Sequence, residues 1–107
     1  MEKEQVLVVD DEEPIREMVS KMINHLGHEA KTAGNGREAL EVLRREAFTI
    51  LVTDIKMPEM DGFELIKAVQ SEFPDLPIIC MTAHGVSYTY TDVVSLGATD
   101  YITKPFT

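Results

Sequence analysis

The sequence predicts an α/β fold built as a doubly wound parallel sheet of five strands with helices between them. Short apolar runs rich in β-branched residues alternate along the whole chain with segments whose apolar residues recur at helical spacing. The connections between these segments are short, and the chain contains no repeat and no linker. With 107 residues it can bury one hydrophobic core but not two, so residues 1–107 are expected to form one domain.

The predicted strands differ in the strength of their signals. Residues 6–9, 49–53 and 77–81 are continuous apolar runs, the pattern of strands that are buried on both faces of a parallel sheet. Residues 28–32 and 99–102 are weaker candidates.

Helical periodicity predicts three helices between these strands. The first helix begins with Pro14 in its first turn and ends at Gly27. The second covers residues 36–45, and the third covers residues 62–72 and ends before Pro74. The apolar face of the first helix consists of Ile15, Met18, Val19, Met22, Ile23 and Leu26.

The C-terminal third gives weaker helix signals. A fourth helix over residues 85–96 contains five consecutive residues of middling or low helix propensity, so it is predicted to start late or to be mobile. The chain stops at Thr107, just past the fifth strand, and the closing C-terminal helix of such a fold is expected to be missing from it. We therefore expect a piece of a longer protein, with a partly uncovered sheet face that promotes self-association.

Polar residues stand at the ends of four of the five predicted strands. The first strand ends at Asp10 and Asp11, the third at Asp54 and the fourth at Thr82, and the fifth runs into Lys104. All strand C-termini of a parallel sheet share one edge, where ligand sites form. These side chains are therefore predicted to converge on one crevice.

The residue types in this predicted crevice indicate its chemistry. Three crowded carboxylates repel one another unless a cation neutralises them, and oxygen ligands favour a hard cation such as Mg²⁺. Aspartate is a competent nucleophile towards phosphorus and forms an aspartyl phosphate. A lysine can balance the charge of an anionic ligand, and a threonine hydroxyl can donate a hydrogen bond to it. The set favours phosphoryl transfer assisted by a metal ion.

Four separated motifs also carry a family resemblance. The segments 8–12 (VVDDE), 54–62 (DIKMPEMDG), 81–83 (MTA) and 104–106 (KPF) resemble the receiver domains of two-component response regulators, the CheY-like superfamily. The resemblance covers nearly the whole chain, with the family's order and spacing. It implies a flavodoxin-like sheet with strand order 2-1-3-4-5.

The resemblance also implies a set of metal ligands around the phosphoacceptor, Asp54. Asp11 would bind Mg²⁺ directly, and Asp10 mostly through water. Asp54 itself and the backbone carbonyl of Lys56 would complete the protein ligands.

Further roles that the resemblance implies concern the phosphoryl group and the response to it. Lys104 would contact the phosphoryl group, and its bond to Pro105 would be cis. Thr82 would move towards the phosphoryl oxygens, and Tyr101 would change its packing in response. Lys56 and His84 line the entrance in this family and tune how fast the phosphoryl group is lost; the sequence leaves the direction of that effect open.

The partners that the resemblance implies are a sensor histidine kinase or a phosphotransfer domain. The chain is then a signalling domain that assists its own phosphotransfer and autodephosphorylation rather than an enzyme. A C-terminal output domain and a homodimer are both compatible with it. A formal net charge of −9 argues against direct binding of nucleic acid.

The composition also bears on the cellular location of the protein and on membrane association. No apolar run approaches the roughly 20 residues that span a bilayer, so no membrane association is expected. The single cysteine, Cys80, cannot form an internal disulfide, which fits a cytoplasmic location.

Two other classes of protein remain as alternatives. The first is a phosphorylation-independent, receiver-like interaction module, against which the intact set of site residues argues. The second is a flavin-binding electron carrier, which would need a phosphate-cradling loop where Asp10 and Asp11 stand.

The segment Gly34-Asn35-Gly36 is a weak match to a dinucleotide fingerprint and is better explained as a turn before a helix. His25 and His28 lack a cysteine partner nearby, so zinc is rejected.

Overall fold

The structure, a computed structural model, describes residues 3–54, 62–83 and 100–104, with side chains at 3–54 and 64–81. Strands and helices alternate along these ranges, as the sequence predicts. In chain order the elements are β1 (Gln5–Val9), α1 (Glu13–His25), β2 (Glu29–Ala33), α2 (Gly36–Arg45), β3 (Ile50–Asp54), α3 (Gly62–Glu72), β4 (Ile78–Ala83) and β5 (Asp100–Lys104).

The five described strands form one sheet in the order β2-β1-β3-β4-β5, and every neighbouring pair is parallel. This confirms the flavodoxin-like, doubly wound sheet. The central strand β3 pairs with β1 on one side and with β4 on the other. Because every strand runs in the same direction, the carboxyl ends of β1, β3, β4 and β5 meet at one edge.

Most strands end one or two residues later than their apolar runs. The β3–β4 ladder includes Asp54 opposite Met81, and the β4–β5 ladder includes Ala83 opposite Lys104. Backbone pairing does not depend on the polarity of a side chain, so a ladder continues into polar residues while the partner strand is still present. Asp54 and Lys104 therefore lie on the last rungs of their ladders, whereas Asp10 follows the end of β1.

The first helix ends one residue before the end of its apolar pattern. The helix ends at His25, and Gly27 follows with a φ of 94°, a left-handed conformation that suits glycine. Leu26 lies beyond the helix and is 70% exposed, and Met22 is 49% exposed. The apolar face of α1 thus includes two exposed side chains, one of them beyond the end of the helix.

Helix α2 begins with a reciprocal cap. The side chain of Asn35 accepts a hydrogen bond from the backbone N–H of Glu38 at 2.8 Å, and the Glu38 carboxylate accepts one from the N–H of Gly34 at 3.2 Å. These bonds satisfy N–H groups that have no partner inside the helix. The segment Gly34-Asn35-Gly36 is thus a turn and a helix start, as the sequence predicts.

Two apolar clusters fill the two faces of the sheet. The larger cluster packs α2 and α3 against one face and includes Leu7, Leu51, Leu65 and Val69, each 0% exposed. The smaller cluster packs Val19 of α1 against the other face. Helices therefore cover both faces of the sheet, as in other doubly wound folds.

Helices α2 and α3 are also joined by a charged pair at their C-terminal ends. The Arg44 guanidinium donates two hydrogen bonds to the Glu72 carboxylate, from Nε at 2.8 Å and from Nη2 at 2.6 Å. This hydrogen-bonded guanidinium lowers the pKa of Glu72. A second exposed ion pair joins Lys31 of β2 to Glu46, just after α2.

Two expectations about the C-terminal part lie outside the described residues. They are the fourth helix over residues 85–96 and the closing helix beyond β5. No helix in the described ranges is both long enough and apolar enough to cross a membrane.

Replacing Leu51 by alanine should test the importance of the β3 core. Leu51 is 0% exposed at the centre of the sheet, so Leu51→Ala is expected to lower the free energy of unfolding by about 2–5 kcal/mol. Urea denaturation followed by circular dichroism measures this change. Met22→Ala, at a half-exposed position, is the control and should stay within about 0.5 kcal/mol. Equal losses in both variants would contradict the packing described here.

Candidate functional site

Three aspartates meet at the carboxyl edge of the sheet. Carboxylate oxygens of Asp10, Asp11 and Asp54 all lie within 4.8 Å of one another. Asp10 is 0% exposed and Asp54 is 7% exposed, whereas Asp11 faces solvent. We call these three residues the acidic cluster. The sequence predicted their convergence from strand ends that lie more than 40 residues apart.

The pairing of β1 with β3 creates this cluster. Val9, the last residue of β1, stands opposite Thr53, so Asp10 and Asp54 follow at the same level of two adjacent strands. Adjacent parallel strands lie about 4.8 Å apart, which brings the two side chains together. Asp54 remains inside the ladder, paired with Met81 of β4. The position of Asp54 is therefore fixed by backbone pairing with β4, and its neighbour Thr53 is also paired with β1.

Hydrogen bonds hold the loop after β1 in a defined shape. The N–H of Asp10 donates to the carbonyl of Ala33 at the end of β2, at 3.2 Å. Oδ1 of Asp10 accepts from the N–H of Glu12 at 2.9 Å, and the carbonyl of Asp10 accepts from Nη1 of Arg16 at 2.8 Å. The loop can thus present Asp10 and Asp11 side by side without relying on a ligand.

The buried surroundings of Asp54 are partly polar. The Thr53 hydroxyl, which is fully buried, donates to the carbonyl of Asp54 at 2.9 Å. Cys80 of β4 is also fully buried. Burial, and to a lesser degree the negative charge of Asp54, raises the pKa of the Cys80 thiol to about 12. The thiol is therefore neutral and packs as an apolar group.

The acidic cluster fits a hard divalent cation. Its donors are all carboxylate oxygens, which Mg²⁺ prefers, and Mg²⁺ sites commonly use one or two carboxylates with waters completing the shell. Three carboxylates at these distances repel one another, and a cation would remove that repulsion. Asp11 is exposed, so among the described residues the cluster reaches the protein surface.

Other predicted site residues are described by their backbone alone. Thr82 lies near the end of β4, and Lys104 ends β5 opposite Ala83, so both belong to the same sheet edge as the acidic cluster. Tyr101 lies on β5 opposite Cys80. The roles predicted for these side chains remain predictions. Lys56, His84 and Pro105 lie outside the described residues.

The sequence analysis missed Arg16. Its guanidinium contacts the carbonyl of Asp10, and the residue lies in the first turn of α1. A cation is unfavourable at a helix N-terminus, because the helix dipole places positive charge there. This local mismatch was the available signal that Arg16 has a specific contact.

The whole chain from β1 onwards matches one family. Residues 6–107 match the family model for the response regulator receiver domain. The response regulator protein FleR of Pseudomonas aeruginosa is 39% identical over 101 residues, covering 94% of this chain and 21% of that protein. The probable transcriptional regulator ycf27 of Pyropia yezoensis is 41% identical over 105 residues, covering 98% of this chain and 43% of that protein.

Solved structures agree with the sequence comparisons. The chemotaxis protein CheY4 of Vibrio cholerae superposes with a TM-score of 0.89 at 37% identity, covering 99% of this chain and 90% of that one. NtrX of Brucella abortus superposes with a TM-score of 0.92 at 33% identity, covering 98% of this chain and 24% of that one. The chain thus spans less than half the length of the curated relatives named above, but nearly all of CheY4.

These matches identify a signalling domain rather than a classical enzyme. The chain belongs to the family of response regulator receiver domains of two-component signal transduction.

The thiol of Cys80 should be unreactive while the protein is folded. With a pKa of about 12, it carries very little thiolate at about pH 8, and its sulfur is buried. A disulfide reagent such as dithionitrobenzoate is expected to release no colour from the native protein and one equivalent after unfolding in urea. Rapid reaction of the native protein would contradict the burial of Cys80.

Neutralising Asp54 should have opposite effects with and without metal. In chelator, Asp54→Asn is expected to raise the thermal midpoint, because it removes like-charge repulsion within the acidic cluster. Mg²⁺ at about 100 times its Kd should stabilise the unmodified protein by about 2.7 kcal/mol, and Asp54→Asn should lose most of that gain.

Differential scanning calorimetry measures both effects. Asp75→Asn removes an exposed carboxylate outside the acidic cluster and is the matched control, which should respond to Mg²⁺ like the unmodified protein. A thermal midpoint of the unmodified protein that ignores Mg²⁺ would argue against a metal site.

Proposed function

We propose that this chain is the phosphoacceptor switch of a two-component system, with Asp54 receiving a phosphoryl group from the phosphohistidine of a histidine kinase. The observation that carries the proposal is the acidic cluster, whose carboxylate oxygens lie within 4.8 Å of one another at the carboxyl edge of a parallel sheet. Membership in the receiver family supports the same conclusion. A phosphotransfer domain would be an equivalent donor.

The metal site of this proposal uses the residues that the sequence analysis named. Asp11 and Asp54 would bind Mg²⁺ directly, Asp10 would act mostly through water, and the carbonyl of Lys56 would complete the set. The bound ion supplies positive charge against the carboxylates and the phosphoryl oxygens. The hydrogen bonds that hold Asp10 support this role, because a preformed ligand loop has less freedom to lose on binding.

Transfer then requires one bond to form and one to break. A carboxylate oxygen of Asp54 bonds to phosphorus while the bond from phosphorus to the donor imidazole nitrogen breaks, and that nitrogen keeps the bonding electrons. Lys104 would pair with a phosphoryl oxygen, and the Thr82 hydroxyl would donate to another. The position of Asp54 on the last rung of the β3–β4 ladder supports its role, since backbone pairing with Met81 fixes the nucleophile.

The output of the switch would be a change in packing. Thr82 would move towards the phosphorylated Asp54 and Tyr101 would repack, which biases two arrangements of the surface around β4 and β5. The pairing of β4 with β5 supports such coupling, because these two strands carry Thr82 and Tyr101. We further propose that residues 1–107 act as one receiver domain in the cytoplasm. The greater length of the relatives supports an output domain in the parent protein.

A flavin-binding electron carrier would share the sheet but not the site. Such a protein needs a loop after β1 that cradles phosphate, whereas this chain places Asp10 and Asp11 there, next to Asp54. These carboxylates repel a phosphate group unless a cation intervenes. The remaining alternative, a receiver-like module that works without phosphorylation, would keep the fold and gain no phosphoryl group.

Incubation with acetyl phosphate and Mg²⁺ should add one phosphoryl group to the protein. Intact-mass spectrometry is expected to show a single added phosphoryl mass that disappears in Asp54→Asn, because only Asp54 is the nucleophile. Chelation of Mg²⁺ should also prevent the gain. Asp75→Asn, at an exposed aspartate, is the control and should be labelled normally.

Two results would contradict this proposal. Labelling that persists in Asp54→Asn would move the phosphoacceptor elsewhere. Absence of labelling in the unmodified protein with every small phosphodonor would favour the phosphorylation-independent module.

A further inference from the structure

Arg16 connects the first helix to the loop that carries the acidic pair. Its Nη1 donates to the carbonyl of Asp10 at 2.8 Å, and its backbone N–H donates to the carbonyl of Glu12 at 3.1 Å. The backbone bond is the i→i−4 bond that opens α1, whereas the side chain reaches beyond the helix to the loop. Arg16 is half-buried, so its contacts are partly shielded from water.

The charge of Arg16 meets opposing influences in its surroundings. It lies in the first turn of α1, where the helix dipole is positive and repels it, whereas the nearby carboxylates of the acidic cluster and of Glu38 attract it. A divalent cation held by the acidic cluster would repel it. The hydrogen bond to the Asp10 carbonyl gives the guanidinium a directed contact that charge alone does not provide.

The carbonyl that Arg16 contacts belongs to the peptide between Asp10 and Asp11. Since a peptide unit is planar, holding this carbonyl fixes the direction in which the chain leaves Asp10 and enters Asp11. The N–H of Asp10 is already bonded to the carbonyl of Ala33 and its Oδ1 to the N–H of Glu12. Asp11, whose side chain is exposed, depends most on the orientation of this peptide.

A second loop holds the guanidinium in place. A β-carbon built on Gly34 would lie 3.6 Å from Nη1 of Arg16 and 3.6 Å from Oε2 of Glu38. The guanidinium thus lies against the capped turn between β2 and α2, on the same side as the Glu38 carboxylate. The side chain is confined between two loops, which reduces its freedom to leave the Asp10 carbonyl.

We propose that Arg16 is a positioning residue for the metal site, holding the Asp10 carbonyl so that Asp10 and Asp11 both aim their carboxylates at the ion beside Asp54. This inference rests on the proposed function, because it concerns affinity for Mg²⁺. Residues that orient metal ligands typically change affinity about 10–100-fold when they are replaced.

The direction in which the Mg²⁺ affinity changes distinguishes a positioning role of Arg16 from a purely electrostatic one. Arg16→Met keeps an unbranched apolar stem and removes the donor and the charge. If only charge mattered, removing a cation near a divalent ion would tighten binding. Positioning predicts the opposite, a Kd for Mg²⁺ raised about 10-fold or more. Lys21→Met makes the same charge change at an exposed position of α1 and is the matched control. Its Kd should stay equal or fall.

Binding is measured by electron paramagnetic resonance of free Mn²⁺, with Mg²⁺ as the competitor. A second readout uses the metal-free protein: amide chemical shifts of residues 10–12 should move in Arg16→Met and stay in place in Lys21→Met. A role in stability alone would lower the urea midpoint and leave the Kd of the folded protein unchanged. Arg16→Gln, which is too short to reach the carbonyl, gives the same test if the methionine variant folds poorly.

Each outcome bears on a separate statement. A raised Kd in Arg16→Met beside an unchanged or lowered Kd in Lys21→Met supports the inference. An unchanged or lowered Kd in Arg16→Met overturns it while the metal site stands. An unmodified protein that binds neither Mn²⁺ nor Mg²⁺ overturns the metal site of the proposed function, and the inference with it.

Discussion

The parallel register between β1 and β3 is the constraint on which the rest of this structure depends. It places two carboxylates that are distant in the chain at the same level of neighbouring strands, about one strand spacing apart. Their repulsion opposes folding, and the hydrophobic burial on both faces of the sheet offsets it. Repulsion between the clustered carboxylates lowers the stability of the folded protein. A bound cation or a substitution at Asp54 therefore changes that stability directly.

Much of this arrangement could be predicted from the sequence, because it depends on the alternation of apolar runs and on the polar residues that follow them. Alternating apolar runs predicted the sheet, and the shared edge of parallel strands predicted that Asp10, Asp11 and Asp54 would meet. The strand order came only from the family resemblance, because alternation alone does not say which strands are neighbours.

Other features depended on the reach and packing of single side chains. Arg16 was missed because hydropathy patterns do not show where a long side chain ends, although a cation at a helix start was a visible anomaly. Leu26 continues the apolar periodicity of α1 but is exposed, because the helix ends at His25. The weak second strand nevertheless formed, because pairing with β1 outweighs the poor propensity of its polar residues.

The paired guanidinium and carboxylate of Arg44 and Glu72 have a mechanical consequence. Both helices run opposite to the strands, so their last turns lie at the far rim from the acidic cluster. The pair joins the last turns of α2 and α3 at that rim. Exposed ion pairs contribute little to stability and weaken in salt, so ionic strength sets how firmly the two helix ends are held together.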